Sequence, residues 1–512
     1  MRYFKNNLGN LFFSSAVIFF AAVIFLPAVY ILTYFFKTEI FVTKEIVKSI
    51  ILSFEIGLIV TFIDLIFGLP LAWSLVRSKS RFIKWLDSLI DLSLVMPTAA
   101  LGFSVYLYWG SKFGLARLLG LEGGIFSKGP MLIILLHVVF TLPYMARSIA
   151  AAIAQINLTY EQAALTLGAN PFTIFRTISL PLFKNGVITG SILSFTRSLS
   201  ETGATMMVAG AFTTAPVLII GLKEAGQIPQ AAAVSVILIL SAIIILFLAK
   251  LLLKEKTINL EKVYPVFEKS LLNLKAIKNI AVALFFVFVV FLPTIFIVFF
   301  NLTNFYFFLN SILFKSLIIS FAIAFLVTLV NLFFSIPLAY LIARNRYRMG
   351  KLLDSLSEVV LLVPTSALGL SLVLFWRQFL NQEILILILT HLSFSFPLLV
   401  KPLAAAFKDI PLSLEEASYS LGTSGKEMFI KILLPLIKPA IIAGSIMAFM
   451  RSLSETGATL AVTGKIKTIP ILIVEFVERG EFNQAAFACV VLFIIAFAFL
   501  IILKHNKFSK TS

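Results

Sequence analysis

Residues 161–210 read EQAALTLGANPFTIFRTISLPLFKNGVITGSILSFTRSLSETGATMMVAG, and residues 415–464 read EEASYSLGTSGKEMFIKILLPLIKPAIIAGSIMAFMRSLSETGATLAVTG. The second stretch repeats the first at a constant offset of 254 positions, so that Gly168 corresponds to Gly422 and Pro181 to Pro435. Each copy begins as a polar, helix-forming loop and continues as an apolar helix that carries one Arg and one Glu. A polar loop duplicated within an apolar chain predicts two equivalent docking points for a partner with two-fold symmetry.

The composition is that of a membrane protein. Hydrophobic residues make up 60% of the 512 positions and charged residues 13%, and the mean hydropathy is +1.04. Soluble domains contain about 25% charged residues, which leaves little room here for a soluble domain. The net charge is +18. The Lys and Arg residues lie between apolar runs, where they indicate orientation in a lipid bilayer rather than nucleic-acid binding. The single cysteine, Cys489, excludes a disulfide framework within the chain and a multi-cysteine metal site.

Twelve apolar runs are long enough to cross a bilayer, which requires about 20 residues per helix. They lie near 11–36, 50–76, 87–109, 131–155, 185–208, 229–253, 279–301, 316–343, 354–376, 384–407, 437–461 and 481–503. The first run lacks a small-residue cleavage site, so we interpret it as a retained span rather than a signal peptide. The predicted fold class is an all-α integral membrane protein with twelve transmembrane helices in two tandem six-helix repeats. The predicted boundaries are a first half at 1–253, a linker at 254–278 and a second half at 279–512.

The repeat extends over almost the whole chain. Pro97 corresponds to Pro364 at an offset of 267, whereas His137 corresponds to His391 at an offset of 254. The first half therefore carries 13 additional residues (267 minus 254), which we place in the glycine-rich stretch 114–129. Because each half has an even number of spans, the halves share one orientation and are related by an axis along the membrane normal.

Basic residues in short connections predict the orientation of the chain. They cluster after the second and eighth spans, at Arg77, Lys79, Arg81, Lys84, Arg344, Arg346, Arg348 and Lys351. With twelve spans, these clusters lie on the same side as both termini, the linker and both duplicated loops. The sequence thus predicts a multi-pass protein of the cell (plasma or inner) membrane with cytoplasmic N- and C-termini.

The duplicated loop has two interpretations. Gln162–Ala164 predict a short helix that Gly168 ends. Asn170–Pro171 begins a second helix, which is expected to stop before Pro181. One interpretation is a docking surface whose apolar side chains fill a partner's groove. The other is an amphipathic loop that packs on its own helices. Two copies with identical spacing favour the docking surface.

Gln162-Ala163-Ala164 to Pro181, and Glu416-Ala417-Ser418 to Pro435, resemble the EAA-x3-G-x9-I-x-LP loop of permease subunits of type I ATP-binding-cassette importers. The sequence departs from that pattern at Gln162, where the family has Glu, and at Ser418, where it has Ala. The resemblance implies the type I importer permease fold, with coupling loops at about 160–181 and 414–435. The residues that it implies for docking on an ATPase are Glu161, Gln162, Ala163, Ala164, Gly168, Arg176, Pro181, Glu415, Glu416, Ala417, Gly422, Lys431 and Pro435.

The resemblance also implies the rest of the assembly. Two copies of a separate cytoplasmic ATPase would bind ATP, and an extracytoplasmic solute-binding protein would deliver the solute to the outer segments 214–230 and 468–484. The chain has no G-x-x-x-x-G-K-[ST] motif, so we expect no cofactor in it and no enzymatic activity of its own. Two halves in one chain resemble the permeases of ferric-iron and thiamine importers. Phe195–Ala204 instead resembles the F-x-R-x-L-G-E-x-G segment of sulfate, molybdate and tungstate permeases, so the solute stays open among these and phosphonate.

Two charged pairs lie inside predicted spans. Arg197 and Glu201 are four positions apart, as are Arg451 and Glu455, so each pair can meet on one helix face. A charge at the bilayer centre costs about 2.5–3.5 kcal/mol and therefore faces the bundle interior or a water-filled path. The pairs either flank a translocation path for an anionic or chelated solute or form salt bridges that lock the helix, and the two roles can coexist.

Glycines and prolines complete the candidates for the translocation path. Gly203 and Gly457 allow a close approach of helices. Pro97 and Pro364 predict a broken helix near mid-membrane, which either lines a pore or is bent packing.

Other polar residues have plainer interpretations. Acids at the start of the third and ninth spans are interpreted as helix-capping residues, since the helix dipole favours acids there. They are Asp87, Asp91, Asp354 and Glu358. His137 and His391 are predicted to be hydrogen-bonded core residues rather than ligands, and we predict neither a metal site nor a catalytic residue.

Two other classes of function remain as alternatives to an importer permease. In an ion-coupled secondary transporter, the Arg–Glu pairs would be proton or ion sites. A membrane enzyme, such as a lipid-modifying transferase, needs clustered titratable groups, but the chain has three His and no G-x-S-x-G or H-E-x-x-H motif. The favoured prediction is a permease that forms the path for a small charged solute and is driven by a separate ATPase.

Overall fold

The computed structural model describes residues 7–35, 43–78, 80–252, 275–303, 311–344 and 348–508. Residues 254–274 of the predicted linker lie outside the described residues, as do Lys79 and Arg346. The described helices of the first half are Asn7–Phe19, Leu26–Val29, Ile31–Phe35, Lys44–Arg77, Arg81–Val95, Thr98–Val105, Leu115–Leu118, Pro130–Ala154, Leu158–Thr166, Pro171–Ile174, Leu180–Ser200, Gly203–Ala209, Ala215–Glu224 and Ile228–Leu252. Its π-helical turns are Phe20–Phe25, Tyr106–Gly110 and Phe175–Ser179.

The second half repeats this order of elements. Its described helices are Lys275–Phe285, Leu292–Thr303, Ser311–Arg344, Arg348–Leu362, Thr365–Trp376, Glu383–Asp409, Leu412–Ser420, Gly425–Met428, Leu434–Ser454, Gly457–Val462, Ile469–Glu478 and Phe482–Phe508. Its π-helical turns are Phe286–Phe291 and Phe429–Leu433. The short helix Leu115–Leu118 of the first half has no counterpart among the described residues of the second, as expected for the insertion predicted at 114–129.

Ten of the described helices are long and apolar enough to cross a membrane, and two bent pairs raise the number to twelve when each pair is taken as one span. Every described element is helical. The prediction of an all-α integral membrane protein built from two tandem six-span repeats is therefore confirmed for the described part of the chain.

The third and ninth spans, predicted near 87–109 and 354–376, are broken helices. Each consists of two limbs, which meet at angles of 109° and 106°. The breaks fall directly before Pro97 and Pro364, because a residue that precedes proline is pushed out of the helical region, as the ψ of 136° at Met96 illustrates. The predicted broken helix is thus present, and the proline position determines where it breaks.

The first span of each half packs on the other half. Phe19 of the first span stacks on Phe334 of helix Ser311–Arg344, with ring centroids 4.0 Å apart. In the mirrored contact, Phe285 at the start of the second half stacks on Phe67 of helix Lys44–Arg77, with centroids 3.6 Å apart. The two halves therefore exchange their first spans, and neither half encloses its own core alone.

A pair of serines fixes this exchange. Ser371 lies between two consecutive turns of the first span, where its hydroxyl donates to the Pro27 carbonyl (2.7 Å) and accepts from the Ile31 amide (3.0 Å). Its repeat counterpart, Ser104, makes the same two bonds with Pro293 and Ile297 of the other exchanged span. A side chain that inserts into the backbone ladder satisfies both polar groups where the helix opens.

Candidate functional site

The two duplicated loops form short helices at one end of the bundle, which we call the loop side. The loop helices are Leu158–Thr166 and Leu412–Ser420. Gly168 ends the first with φ of +86°, and Gly422 ends the second with φ of +83°. Side chains rarely adopt this left-handed conformation, so glycine ends a helix there at low cost. The predicted glycine terminators are confirmed.

Each loop helix presents apolar side chains to the surroundings. Leu167 is 87% exposed and Leu421 is 85% exposed, and each directly precedes its terminating glycine. Around these leucines, further residues of the predicted docking set are exposed, namely Gln162, Ala163, Glu416 and Ala417, while Ala164 is half-buried. Two large apolar side chains at equivalent loop tips indicate surfaces that a partner covers.

Glu161 and Glu415 face the chain itself rather than the surroundings. The Glu161 carboxylate lies 2.7 Å from the Arg77 guanidinium, and the Glu415 carboxylate lies 2.5 Å from the Arg344 guanidinium. Tyr340 also donates to Glu415 at 2.9 Å. These half-buried to buried pairs fasten each loop helix to the end of a long span. Within the predicted docking set, these two residues hold the loops in position.

Other members of the docking set lie just beyond the glycines. Arg176 is half-buried, whereas Lys431 is exposed and lies 3.1 Å from Glu427 of its own loop. The expectation that the second loop helix stops before Pro181 and Pro435 is wrong. The chain continues helically through a π-helical turn into Leu180–Ser200 and Leu434–Ser454, since the wider turn accommodates a proline that lacks an amide hydrogen.

We call Leu180–Ser200 and Leu434–Ser454 the inner helices; each ends beside its charged pair. Arg197 lies 2.8 Å from Glu201, and Arg451 lies 2.5 Å from Glu455. The predicted pairing is present, but the expectation that each pair shares one helix face is wrong. Each inner helix stops at the serine before the glutamate, whose backbone is extended, with φ of −77° and ψ of 128° at Glu201.

The carboxylates bridge a break between two helices. The second Glu201 oxygen accepts from the Ala204 amide at 3.2 Å, and that of Glu455 accepts from the Ala458 amide at 2.8 Å. An arginine at the end of one helix and a glutamate at the start of the next also suit the two helix dipoles. The pairs therefore stabilise the break itself, as the locking interpretation requires.

The two breaks meet where the halves touch. A Cβ atom on Gly203 would overlap the side chain of Thr456, and one on Gly457 would lie 2.7 Å from the Thr202 hydroxyl. Only glycine permits this approach, so the predicted role of both glycines in close packing agrees with the structure. The contact joins the two halves at the level of the charged pairs.

A cavity of about 260 Å3 lies between the halves, beside this contact. Its lining residues are Ser93, Leu94, Met96, Thr98, Leu101, Phe140, Tyr144, Leu193, Thr196, Arg197, Ser200, Leu361, Val363, Thr365, Leu398, Ile446, Met447, Met450, Arg451 and Ser454. Both arginines thus face the cavity, whereas their carboxylate partners lie behind them. Pro97 and Pro364 are not in the lining, but the breaks they cause place Thr98 and Thr365 there.

Buried histidines support the inner helices. His137 contacts the Ser198 hydroxyl at 2.7 Å and the Thr205 hydroxyl at 2.9 Å. His391 makes the equivalent contacts with Ser452 and Thr459, at 2.8 and 3.1 Å. Each imidazole joins an inner helix to the short helix beyond the break. The prediction of hydrogen-bonded core histidines is confirmed.

The acids of the third and ninth spans do not cap helices. Arg147 lies 2.5 Å from both Asp87 and Asp91, and Lys401 binds Asp354 and Glu358 equivalently, at 2.5 and 2.9 Å. The first of these helices begins at Arg81, with no acid in its first turn, which makes the capping interpretation wrong. The acids instead join the bent spans to their neighbours through ion pairs.

Sequence reasoning missed several polar residues behind and along the cavity. Asp64 is fully buried, and one of its oxygens accepts from the Ser194 hydroxyl of the first inner helix at 2.6 Å. Its repeat counterpart Asn331 donates to Ser395 at 2.8 Å. An acid in the middle of an apolar run was the available signal for Asp64. Tyr144 and Thr196 carried no comparable signal, because hydroxyl side chains are common in membrane helices.

The predicted outer segments form helices at the end of the bundle opposite the loops. Ala215–Glu224 and Ile469–Glu478 begin with amides that donate to Ser53 at 2.7 Å and to Ser320 at 2.9 Å. Burial lowers the pKa of Lys128 on this side. Burial raises the pKa of Glu478, and the neighbouring Glu224 carboxylate raises it further. Charges of both signs from the two halves therefore meet at this end.

Comparison with known proteins gives a consistent set of relatives. The family described as "Binding-protein-dependent transport system inner membrane component" matches residues 64–256 and 335–506. The molybdenum transport system permease protein ModB of Mycobacterium bovis is 34% identical over 162 residues, which are 32% of this chain and 61% of the relative. ModB of Escherichia coli (strain K12) is 36% identical over 160 residues, 31% of this chain and 70% of the relative.

An archaeal relative extends the comparison. The molybdate/tungstate transport system permease protein WtpB of Methanocaldococcus jannaschii is 29% identical over 177 residues, 34% of this chain and 69% of the relative. Each of these matches covers about a third of the chain, and the chain spans less than two thirds of the length of the mycobacterial relative. The family match, in contrast, occurs once in each half.

Proposed function

Because the chain belongs to the family of binding-protein-dependent transport system inner membrane components, we propose that it is the permease subunit of an ATP-binding-cassette importer, with both halves of the permease in one polypeptide. Its function would be to form the path along which a small charged solute crosses the membrane. The chain itself would hold no cofactor, since ATP would be bound by a separate partner.

The observation that carries this proposal is the pair of exposed leucines at equivalent loop tips. Leu167 and Leu421 lie at the ends of short helices that ion pairs fasten to long spans. Two copies of a cytoplasmic ATPase would each cover one loop helix. Since the segments that follow Gly168 and Gly422 run helically from Pro171 and Gly425 into the inner helices, a movement of the ATPase pair would be transmitted to the breaks at Glu201 and Glu455.

This assignment determines the orientation. The loop side would be cytoplasmic, and both termini would lie there, in agreement with the basic residues of that side. Arg77 and Arg344 belong to those basic clusters and bind the loops directly. The opposite end, with Ala215–Glu224 and Ile469–Glu478, would receive a solute-binding protein.

The chemistry of the cavity favours an oxyanion as the solute. Arg197 and Arg451 both face the cavity, and hydroxyl side chains surround them. Guanidinium and hydroxyl groups donate hydrogen bonds to oxyanions, whereas ferric iron and thiamine are cations that two arginines would repel. The relatives described above are named for molybdenum, molybdate and tungstate. We therefore propose molybdate or tungstate, with sulfate as the chemically similar competitor.

The docking surface is tested by charge substitution. Leu167→Asp together with Leu421→Asp should release the ATPase. Each leucine side chain that the ATPase covers would contribute about 1.5–3 kcal/mol to the binding free energy. Leu118→Asp is the matched control, because Leu118 is 82% exposed on the inserted segment, outside both loops. The measurement is the amount of co-expressed ATPase retained on the purified chain in nanodiscs, together with ATP-dependent molybdate uptake in proteoliposomes.

The expected result is loss of both readouts in the double variant and neither in the control, with an unchanged melting temperature. Retention of the ATPase by the double variant would contradict the docking role. Uptake that continues without the ATPase and collapses when an ionophore is added would favour the ion-coupled secondary transporter instead.

A further inference from the structure

The cavity between the two halves is not symmetric in its chemistry, although the chain around it is. Four pairs of repeat counterparts line it with the same residue type: Arg197 and Arg451, Ser200 and Ser454, Thr98 and Thr365, and Leu94 and Leu361. Four other lining pairs differ. Two of them, Leu193 with Met447 and Met96 with Val363, are apolar in both halves, and the other two differ in polarity. Tyr144 faces the cavity from the first half where the second half has Leu398, and Thr196 does so where the second half has Met450.

The first-half wall offers a cluster of polar groups. Tyr144 lies close enough to Arg197 for the two to interact electrostatically. Among the described residues, no hydrogen bond involves the Tyr144 hydroxyl, and the side chain is half-buried against the cavity. The Thr196 hydroxyl lies one position before Arg197 and donates to the Ile192 carbonyl at 2.7 Å. A phenol that is free to donate therefore stands beside a cation.

The second-half wall offers few such groups. Apart from Arg451, Ser454 and Thr365, its lining side chains are apolar: Leu361, Val363, Leu398, Ile446, Met447 and Met450. Arg451 emerges from this wall with no hydroxyl at the position equivalent to Tyr144. An oxyanion is held best where donors are most numerous, because each of its oxygens accepts hydrogen bonds and an unpaired charge away from water is costly.

We infer that the solute is held off the pseudo-two-fold axis, against the first half, by the Arg197 guanidinium and the Tyr144 hydroxyl, with Thr196 beside them. Arg451 faces this site from an apolar wall. The inference rests on the proposed function, since it assigns that function's oxyanion to one wall of the path. A permease made of two identical subunits cannot differ in this way, whereas a fused chain can.

A one-sided site also suits transport. A solute must bind well enough to leave its delivery protein and weakly enough to continue, and a path with strong donors on both walls would retain it. Tyr144 on the first-half wall adds a hydrogen-bond donor for the solute. Leu398 on the opposite wall adds none, so the solute is released more easily from that side. The arginines stay paired with Glu201 and Glu455, which limits their attraction for the anion.

Exchange of repeat counterparts tests the inference. Tyr144→Phe removes only the hydroxyl, and Tyr144→Leu installs the residue of the second half. Leu398→Val is the matched control on the opposite wall. The measurement is binding of radiolabelled molybdate to the chain with its ATPase in nanodiscs, without binding protein, and the rate of ATP-driven uptake in proteoliposomes.

Tyr144→Phe is expected to weaken molybdate binding about tenfold, the typical effect of losing a hydrogen bond to a charged group. Leu398→Val should change it less than about twofold, as expected for a side chain that donates no hydrogen bond to the anion. The double variant Tyr144→Leu, Leu398→Tyr should recover most of the binding, because it rebuilds the site beside Arg451. Melting temperature and ATPase retention should match the unmodified chain in all variants.

Equal effects of Tyr144→Phe and Leu398→Val, or no effect of either while molybdate uptake continues, would overturn the one-sided site and leave the proposed function intact. Failure of the double variant to recover binding, with its fold and its ATPase retained, would also contradict the inference. Absence of oxyanion binding and uptake in the unmodified chain would contradict the proposed function and the inference together.

Discussion

The two halves of this chain agree closely in some contacts and differ in others. Four kinds of contact recur at equivalent positions with similar distances. They are the loop-to-span ion pairs, the Arg–Glu pairs, the hydrogen bonds of His137 and His391, and the hydrogen bonds of Ser104 and Ser371. The cavity wall differs, as does the buried pair Asp64 and Asn331. Contacts that hold the bundle and present the loops are kept twice, whereas part of the cavity wall has diverged.

The largest effect should come from removing a carboxylate at a helix break. Glu201→Ala and Glu455→Ala should each lower the free energy of unfolding by about 3–5 kcal/mol, because each removes a buried carboxylate and leaves a half-buried arginine inside the bundle without its partner. Thermal unfolding of the chain in detergent measures this. The halves agree here, so the two variants should behave alike. A large loss for only one of them would contradict the equivalence of the breaks.

Contact between the two breaks gives the next test. Gly203→Ala and Gly457→Ala each place a methyl group against a threonine of the other half, and overpacking of this kind costs about 1–3 kcal/mol. We expect a lower melting temperature and slower uptake from both. Gly221→Ala is the control, since a Cβ atom there meets no heavy atom within 4 Å. Unchanged melting temperatures in the two test variants would show that the halves do not meet there.

The exchanged first spans predict a smaller, paired effect. Ser104→Ala and Ser371→Ala each remove a hydroxyl that bridges two backbone groups of the other half's first span. Loss of a neutral hydrogen bond costs about 0.5–1.5 kcal/mol, with an added penalty for the groups left unpaired. Thermal unfolding should register similar decreases for both. No decrease in either variant would argue against the exchange.

The smallest effect is expected where the halves differ. Asp64→Asn installs the residue that the second half uses at the equivalent position, and an amide can still accept from Ser194. Melting temperature and uptake should change little, by less than about 0.5 kcal/mol in stability. Asp64→Leu should be clearly worse, because Ser194 loses its acceptor. A severe defect in Asp64→Asn would mean that the acid has a role that Asn331 does not share.

Much of this architecture follows from the sequence alone. Long apolar runs predicted the spans, and the constant offset between the copies predicted the two halves and the loops. Gly168 and Gly422 were identified because helix ends favour glycine. The proline-broken spans were anticipated for the same local reason. These features depend on short stretches of sequence, which is why composition and spacing were sufficient.

Other features depend on contacts between distant segments. The break at Glu201 was missed because a four-residue spacing suits a continuous helix, and only the neighbouring Ala204 amide and Thr456 explain why the helix ends. The continuous helix through Pro181 depends on a π-helical turn that has no simple sequence signal. The exchange of first spans is set by packing partners hundreds of residues apart. The proposed role of Tyr144 depends on the contrast with its counterpart Leu398 on the opposite wall of the cavity, which distant segments form together.

The central claim is that both loop tips are covered by subunits of an ATPase pair. A photo-crosslinking amino acid placed at Leu167 and, separately, at Leu421 tests this most directly, with the same substitution at Leu118 as the control. The account predicts that each loop position crosslinks to one ATPase subunit, that a doubly substituted chain captures two, and that the control captures none. Crosslinks to lipid or to the binding protein from the loop positions, or an ATPase captured at only one of them, would contradict it.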